Sequence, residues 1–244
     1  HPDLLQSLNN LSTMCLDMRE LPRAMTYGER AVSMARKLFP AARFPDGHPE
    51  FANALGNFAV ACQEARLYRQ ALPPCEEAVA QLRRLFPAAK FPDGNSELAG
   101  RLFTLGVIYA GLDEPNRSVE VLNEAVAMYR RLFPAAKYAN GHPDVAAALN
   151  GLGHVYSTFR RGDEAAAAFR EALAIREKLY PLTRFPNGHP ALMTSLNNVG
   201  LLHLNAKRYD EARPILDRLV ALNEKIYPQQ HFPNGSPEMS LAHL

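Results

Sequence analysis

The chain has no tryptophan and only three cysteines in 244 residues, Cys15, Cys62 and Cys75, with no CxxC spacing among them. A disulfide framework and a thiolate metal knuckle are thereby excluded, and a reducing, cytoplasmic compartment is the expectation. No apolar run approaches the roughly 18 residues of a membrane-spanning helix, and no charged segment followed by an apolar one opens the chain. Charge of one sign is scarce as well. The 27 Lys+Arg against 25 Asp+Glu leave a formal +2, so electrostatics argue for neither nucleic acid nor an anionic bilayer as partner. The signatures GxxxxGK[ST], HExxH, GxSxG and a GxGxxG after a strand are all missing. Carboxylate pairs such as Asp163-Glu164 and Asp210-Glu211 fall at helix starts, where capping accounts for them. The expectation is a non-catalytic protein without cofactor or metal. Because His1 rather than Met comes first, the chain reads as a fragment of a larger one.

What the chain does contain is a period. The phrase FPDGHP and its variants return so that repeats open at His1, His48, Asn95, His142, His189 and Ser236, each 47 residues after the last. One repeat domain over 1–244 is expected, built of units 1–47, 48–94, 95–141, 142–188 and 189–235 with the start of a sixth at 236–244. Such regularity suits stacked units, each touching only its neighbours.

Each unit reads as two helices. Apolar or small residues follow i, i+3, i+4, i+7 spacing, as in Leu149, Leu152, Gly153 and Tyr156. Pro2, Pro49, Pro143 and Pro190 mark the first turn of helix A, with Asp3, Glu50 and Asp144 behind them. After a polar break near unit positions 19–22, helix B runs through residues such as Ala165, Phe169, Ala172 and Leu173 to a proline found in every copy: Pro40, Pro87, Pro134, Pro181 and Pro228. A Pro-containing loop with Asp-Gly or Asn-Gly then returns the chain to the next helix A. The fold class is an all-α solenoid of five helix-turn-helix repeats.

The spacing of Leu152, Gly153, Tyr156, Ala165, Phe169 and Ala172, echoed by Leu105, Gly106, Tyr109, Ser118, Leu122 and Ala125, resembles the tetratricopeptide repeat. The helix A phrases HPDLLQSLNNLS and HPALMTSLNNVG, and the ending EALAIREKLYP, resemble the kinesin-light-chain-like subgroup, with a longer loop between repeats. The resemblance implies a right-handed superhelix whose helices A line a concave groove, and a protein or peptide as partner.

Polar residues of helix A are accordingly the binding candidates. Positions 6 and 10 share one helix face and supply Gln6, Asn53 and Thr194, and Asn10, Asn57, Thr104 and Asn198. Asn offers both donors and an acceptor, so a row of it can hold a peptide backbone. Asn150, Asn197 and His154 lie near the same wall, and Phe103 is a candidate apolar anchor. These positions are neutral, which favours backbone recognition over a carboxylate clamp. The recurring His1, His48, His142 and His189 suit helix starts better than zinc, because neighbouring helices stand roughly 8–10 Å apart and cannot share one ion. Basic pairs such as Arg36-Lys37, Arg83-Arg84 and Arg130-Arg131 suit helix C-termini. Two alternatives to a groove-binding scaffold stand beside it: a spacer or self-assembling array, and the sensor region of a larger signalling protein.

Overall fold

The computed structural model describes residues 1–226; the expected sixth repeat, Pro228 and the loop aromatic Phe232 lie outside the described residues. Ten α-helices and no strands occur among the described residues: α1 Pro2–Asp17, α2 Leu21–Leu38, α3 Pro49–Glu64, α4 Tyr68–Leu85, α5 Ser96–Gly111, α6 Pro115–Leu132, α7 Pro143–Thr158, α8 Gly162–Leu179, α9 Pro190–Asn205 and α10 Tyr209–Ile226. First helices thus start at the 47-residue interval of the sequence. Helices pack in chain order, an all-α solenoid of repeats.

Local chemistry sets the helix boundaries. The imidazole Nδ1 of His48, His142 and His189 accepts the backbone N–H of Glu50, Asp144 and Ala191 at 3.2–3.3 Å, and Asn95 Oδ1 accepts from Glu97 and Leu98 at 2.9 and 3.1 Å. These are N-caps, satisfying donors that no helical carbonyl can reach. Each capping ring also lies flat on the last aromatic of the preceding helix B, with centroids 3.5–3.6 Å apart for His48 on Phe39, His142 on Phe133 and His189 on Tyr180. Phe44, Tyr138 and Phe185 meet the same rings edge-on. His48, His142 and His189 are therefore side-chain caps, whereas the His1 side chain makes no capping hydrogen bond, and the loop aromatics hold the loop against the three capping rings. Between helices A and B, Arg19, Arg66, Asp113, Arg160 and Lys207 adopt φ of 56–62°, a left-handed turn at one and the same repeat position.

The described residues divide into two compact bodies, His1–Leu132 and a second that begins at Phe133. In the N-terminal body, α1 touches α3 and α3 touches α5, while no comparable contact joins second helices. First helices therefore occupy the tighter, inner side of that body. Helix pairs approach closely where small residues face each other: Ser12 Oγ donates to Ala24 O at 2.9 Å and Ser118 Oγ to Gly106 O at 2.7 Å. The three cysteines are buried and unbonded to one another. Burial pushes the Cys62 thiol up to about 11 and the Cys75 thiol up to about 12, so both are poor nucleophiles.

Successive repeats are joined by a second, charged seam. Arg36 pairs with Glu77 and Arg83 with Glu124, each at 2.7 Å, and in the C-terminal body Glu177 pairs with Arg218. All three link repeat position 36 to position 30 of the next repeat. The last pair carries its charges the other way round. The helix-end arginines expected to serve the helix dipole are thus, at Arg36 and Arg83, ties between repeats.

Candidate peptide-binding face

On the inner side of the N-terminal body, Gln6 and Asn10 of α1 are exposed, and Asn53 and Asn57 of α3 are half-buried. The two α3 amides are organised by a residue from the next repeat. Arg101 Nη2, from α5, donates to Asn53 Oδ1 and to Asn57 Oδ1, both at 3.2 Å. Because a guanidinium has only donors, it fixes both amides with their oxygens inward and leaves their N–H groups as donors for something else. Gly56 makes room for this arrangement: a Cβ there would collide with Arg101 Nε and Cζ. Desolvation by burial lowers the Arg101 pKa, with Glu97 opposing it, and burial in turn raises the Glu97 carboxyl. Arg101 Nε is buried without a partner. One turn along α3 from Asn57, a hollow of about 510 Å³ is lined by Thr13, Leu16, Asp17, Asn57, Val60 and Glu64 among others. It offers apolar wall, carboxylates and amide donors side by side.

Three further candidates, Thr104, Asn150 and Asn198, are buried. Thr104 is buried and its hydroxyl donates to Gly100 O at 3.2 Å, one turn back in its own helix, so a short side chain at that register is spent on the helix. Asn198 is buried in α9 with Nδ2 unpartnered. Asn150 is buried too, its amide oxygen accepting from Arg176 Nη1 at 2.6 Å and Nη2 at 3.2 Å in the orientation that satisfies both groups. Arg176 Nη1 also donates to Ala191 O at 2.7 Å and Ser195 Oγ at 3.0 Å. Asn150 thus belongs to a latch joining α7, α8 and α9. Phe103 is half-buried against the core of the N-terminal body, which places it at the edge of the packing and not free in a groove.

The remaining candidates sit on the C-terminal body. Thr194 is exposed, although its hydroxyl donates to Pro190 O at 3.1 Å. Asn197 is half-buried, and His154 stays exposed, its ring edge-on to Phe169 with centroids 5.1 Å apart. Partial desolvation lowers the His154 pKa.

Sequence reasoning missed Arg101 and Arg176, the two cations that organise these amides. A signal was present. Repeat position 7 is Ser7, Ala54, Ala148 and Ser195 elsewhere, so Arg101 is the long cation in a row of small residues, and it supplies the charge that the neutral positions 6 and 10 lacked.

Paired helices stacked in sequence order with a polar inner face define an α-solenoid repeat protein. The tetratricopeptide repeat family profile matches residues 4–50, 145–191 and 192–233, more than half of the chain, and the chain belongs to that family. Among solved structures, the chain is similar to the nearly identical TPR-like repeats of a Podosopora anserina protein assigned to the kinesin light chains, at 20% identity and a TM-score of 0.70, covering 93% of this chain and 99% of that one. It is also similar to BtubC (BKLC) from P. vanneervenii, at 18% identity and a TM-score of 0.69, covering 91% and 81%. At such identities the likeness is one of fold. No curated protein sequence matches significantly.

Proposed function

We propose that the inner face of the N-terminal body binds a peptide or helical segment of a partner protein. Repeats of this family generally serve as protein-interaction scaffolds. The observation that carries the finer reading is the fixed orientation of Asn53 and Asn57 on Arg101. With both oxygens engaged, the two amides present N–H groups one turn apart on α3, a donor pair suited to successive carbonyl oxygens of a bound main chain. Exposed Asn10 and Gln6 extend the polar row on α1, and the hollow beside Asn57 takes a side chain of the ligand. The C-terminal body adds Thr194, Asn197 and His154 as a separate, weaker contact surface. On this reading the protein works without catalysis, cofactor or metal, in the cytoplasm and independently of nucleic acid. No helix among the described residues is long and apolar enough to cross a membrane.

Selection from a random peptide display library tests this. Peptides enriched on the parent should lose at least tenfold in affinity on an Asn53→Ala, Asn57→Ala variant of unchanged melting temperature. Loss on Arg101→Met as well would show that the amides must be oriented. Equal binding to parent and double-alanine variant would refute the reading.

A further inference from the structure

The hollow beside Asn57 has a chemistry of its own. It lies where α1 and α3 face one another, with Leu16, Leu21 and Val60, all half-buried, as apolar wall. Asp17 and Glu64, both exposed, bring two carboxylates to it, and Arg19 a single guanidinium, so its lining is net negative. Each of the two acids is the last residue of its helix, at the negative end of the dipole, and neither helix has a basic residue in its last turn. No ion pair among the described residues engages either carboxylate; Glu64 accepts only from Gln63 Nε2, at 3.1 Å. Repeat position 17 is acidic in these two repeats alone, being Gly111, Thr158 and Asn205 in the others. Two acids set against helix dipoles beside an apolar wall call for a cation with a long aliphatic stem.

One repeat further along, the same place is filled. Tyr68 stands at the position of Leu21, and Gly111 at that of Glu64. A Cβ on Gly111 would come within 2.5 Å of Cδ2, Cε2 and Cζ of Tyr68, so the tyrosine ring occupies there the space that repeats 1 and 2 leave open. The hollow is thus a local departure from the repeat pattern, made by Leu21 in place of tyrosine, and it coincides with the acidic pair.

We propose that, given binding of a peptide along the inner face, this hollow takes an arginine side chain of that peptide. The stem covers Leu16, Leu21 and Val60, and the guanidinium donates to Asp17 and Glu64. Its planar fork matches a carboxylate with two parallel bonds, which a lysine ammonium cannot do. Arg19 is exposed, and solvent screens its opposition. The adjacent Asn57 amide, its Oδ1 held by Arg101, keeps its N–H groups for the peptide main chain, so that backbone and side chain are read next to each other.

The random display library, selected in parallel on the parent and on two variants, tests the proposal. Asp17→Asn with Glu64→Gln removes the charge and keeps the shape, and Leu21→Tyr with Glu64→Gly rebuilds the filled arrangement of the next repeat. Both variants should melt with the parent, since the substituted side chains are half-buried or exposed. Peptides enriched on the parent should share an arginine. In synthetic peptides, citrulline in its place should weaken binding to the parent about tenfold, lysine should restore part of the loss, and neither change should matter to the two variants. Parent peptides without a shared arginine would overturn the proposal, as would a citrulline penalty equally large on parent and variants; the inner-face reading would still stand if those peptides were lost on Asn53→Ala, Asn57→Ala. Arginine peptides lost on the filled variant but indifferent to Asn53→Ala, Asn57→Ala would uphold the hollow and remove the amides. A library that yields no enriched peptide would overturn both.

Discussion

Gly153 lies in the middle of α7, where alanine would ordinarily be the better helix former by about 1 kcal/mol. Here the substitution should be destabilising. A Cβ built on Gly153 would sit 2.6 Å from both Cδ1 and Cε1 of Phe169, against a comfortable carbon–carbon separation of roughly 3.5–4.0 Å. The Phe169 ring would have to retreat by about 1 Å, and it is fully enclosed between α7 and α8, where overpacking costs about 1–3 kcal/mol. Set against the propensity gain, Gly153→Ala should lose up to about 2 kcal/mol. Gly100, in the second turn of α5, supplies the control: its Cβ would meet only Tyr129 Oη, at 3.5 Å. Gly100→Ala should therefore gain about 0.5–1 kcal/mol. Urea midpoints at constant m-value report the difference, and Gly153→Ala combined with Phe169→Ala should lose less than the sum of the two singles. If Gly153→Ala stabilised the protein as much as Gly100→Ala does, close helix approach would not be the reason for glycine at that position.

Further outcomes follow from the caps, the loops and the buried cation. Desolvation, then the nearby Arg176, lowers the His189 pKa below its usual 6.5; its neutral form is thus favoured in the fold, and the stability it contributes is full above pH 6.5 and lost as pH falls through the lowered value. Melting temperatures between pH 7.5 and 5 should fall toward acid, and His189→Asn, the cap already used by repeat 3, should flatten that slope; an unchanged slope would remove His189 from the effect. Gly94 has φ +93° and its Cβ would run into Met128, so Gly94→Ala should cost about 1–3 kcal/mol by thermal melt, and a neutral result would show that the loop can relocate. Arg101→Met, which removes a buried charge while keeping its volume, should leave stability within about 1 kcal/mol of the parent; a loss of several would mean that its bonds to Asn53 and Asn57 hold the repeats together.

The periodicity made the fold legible: the 47-residue interval, the prolines of the first turn and the Gly-containing loops all mark boundaries that the ten helices keep. Small residues at Gly106 and Gly153 were legible for the same reason, since close packing recurs with the period. The candidate site was legible only in part. Equal register was read as equal exposure, yet among residues at position 10, Asn10 is exposed, Asn57 half-buried, and Thr104 and Asn198 buried. Burial of a short polar side chain depends on how far its neighbours reach, and those neighbours lie in another repeat. Arg101 bonds Asn53 and Asn57 across 48 and 44 residues of sequence, a distance at which helical periodicity carries no information. The ties between positions 36 and 30 were hidden differently, because a helix dipole gave the arginines a sufficient local reason.

The reversal of charge in the Glu177–Arg218 tie also bears on how such a gene can change length. Loss of repeat 2 would set Arg36 beside Glu124, and the seam would survive; loss of repeat 4 would set Arg130 beside Arg218, cation against cation. Duplications and deletions are thereby tolerated among the early repeats and penalised across the reversal, so that the order of the repeats, and not only their number, is written into the protein.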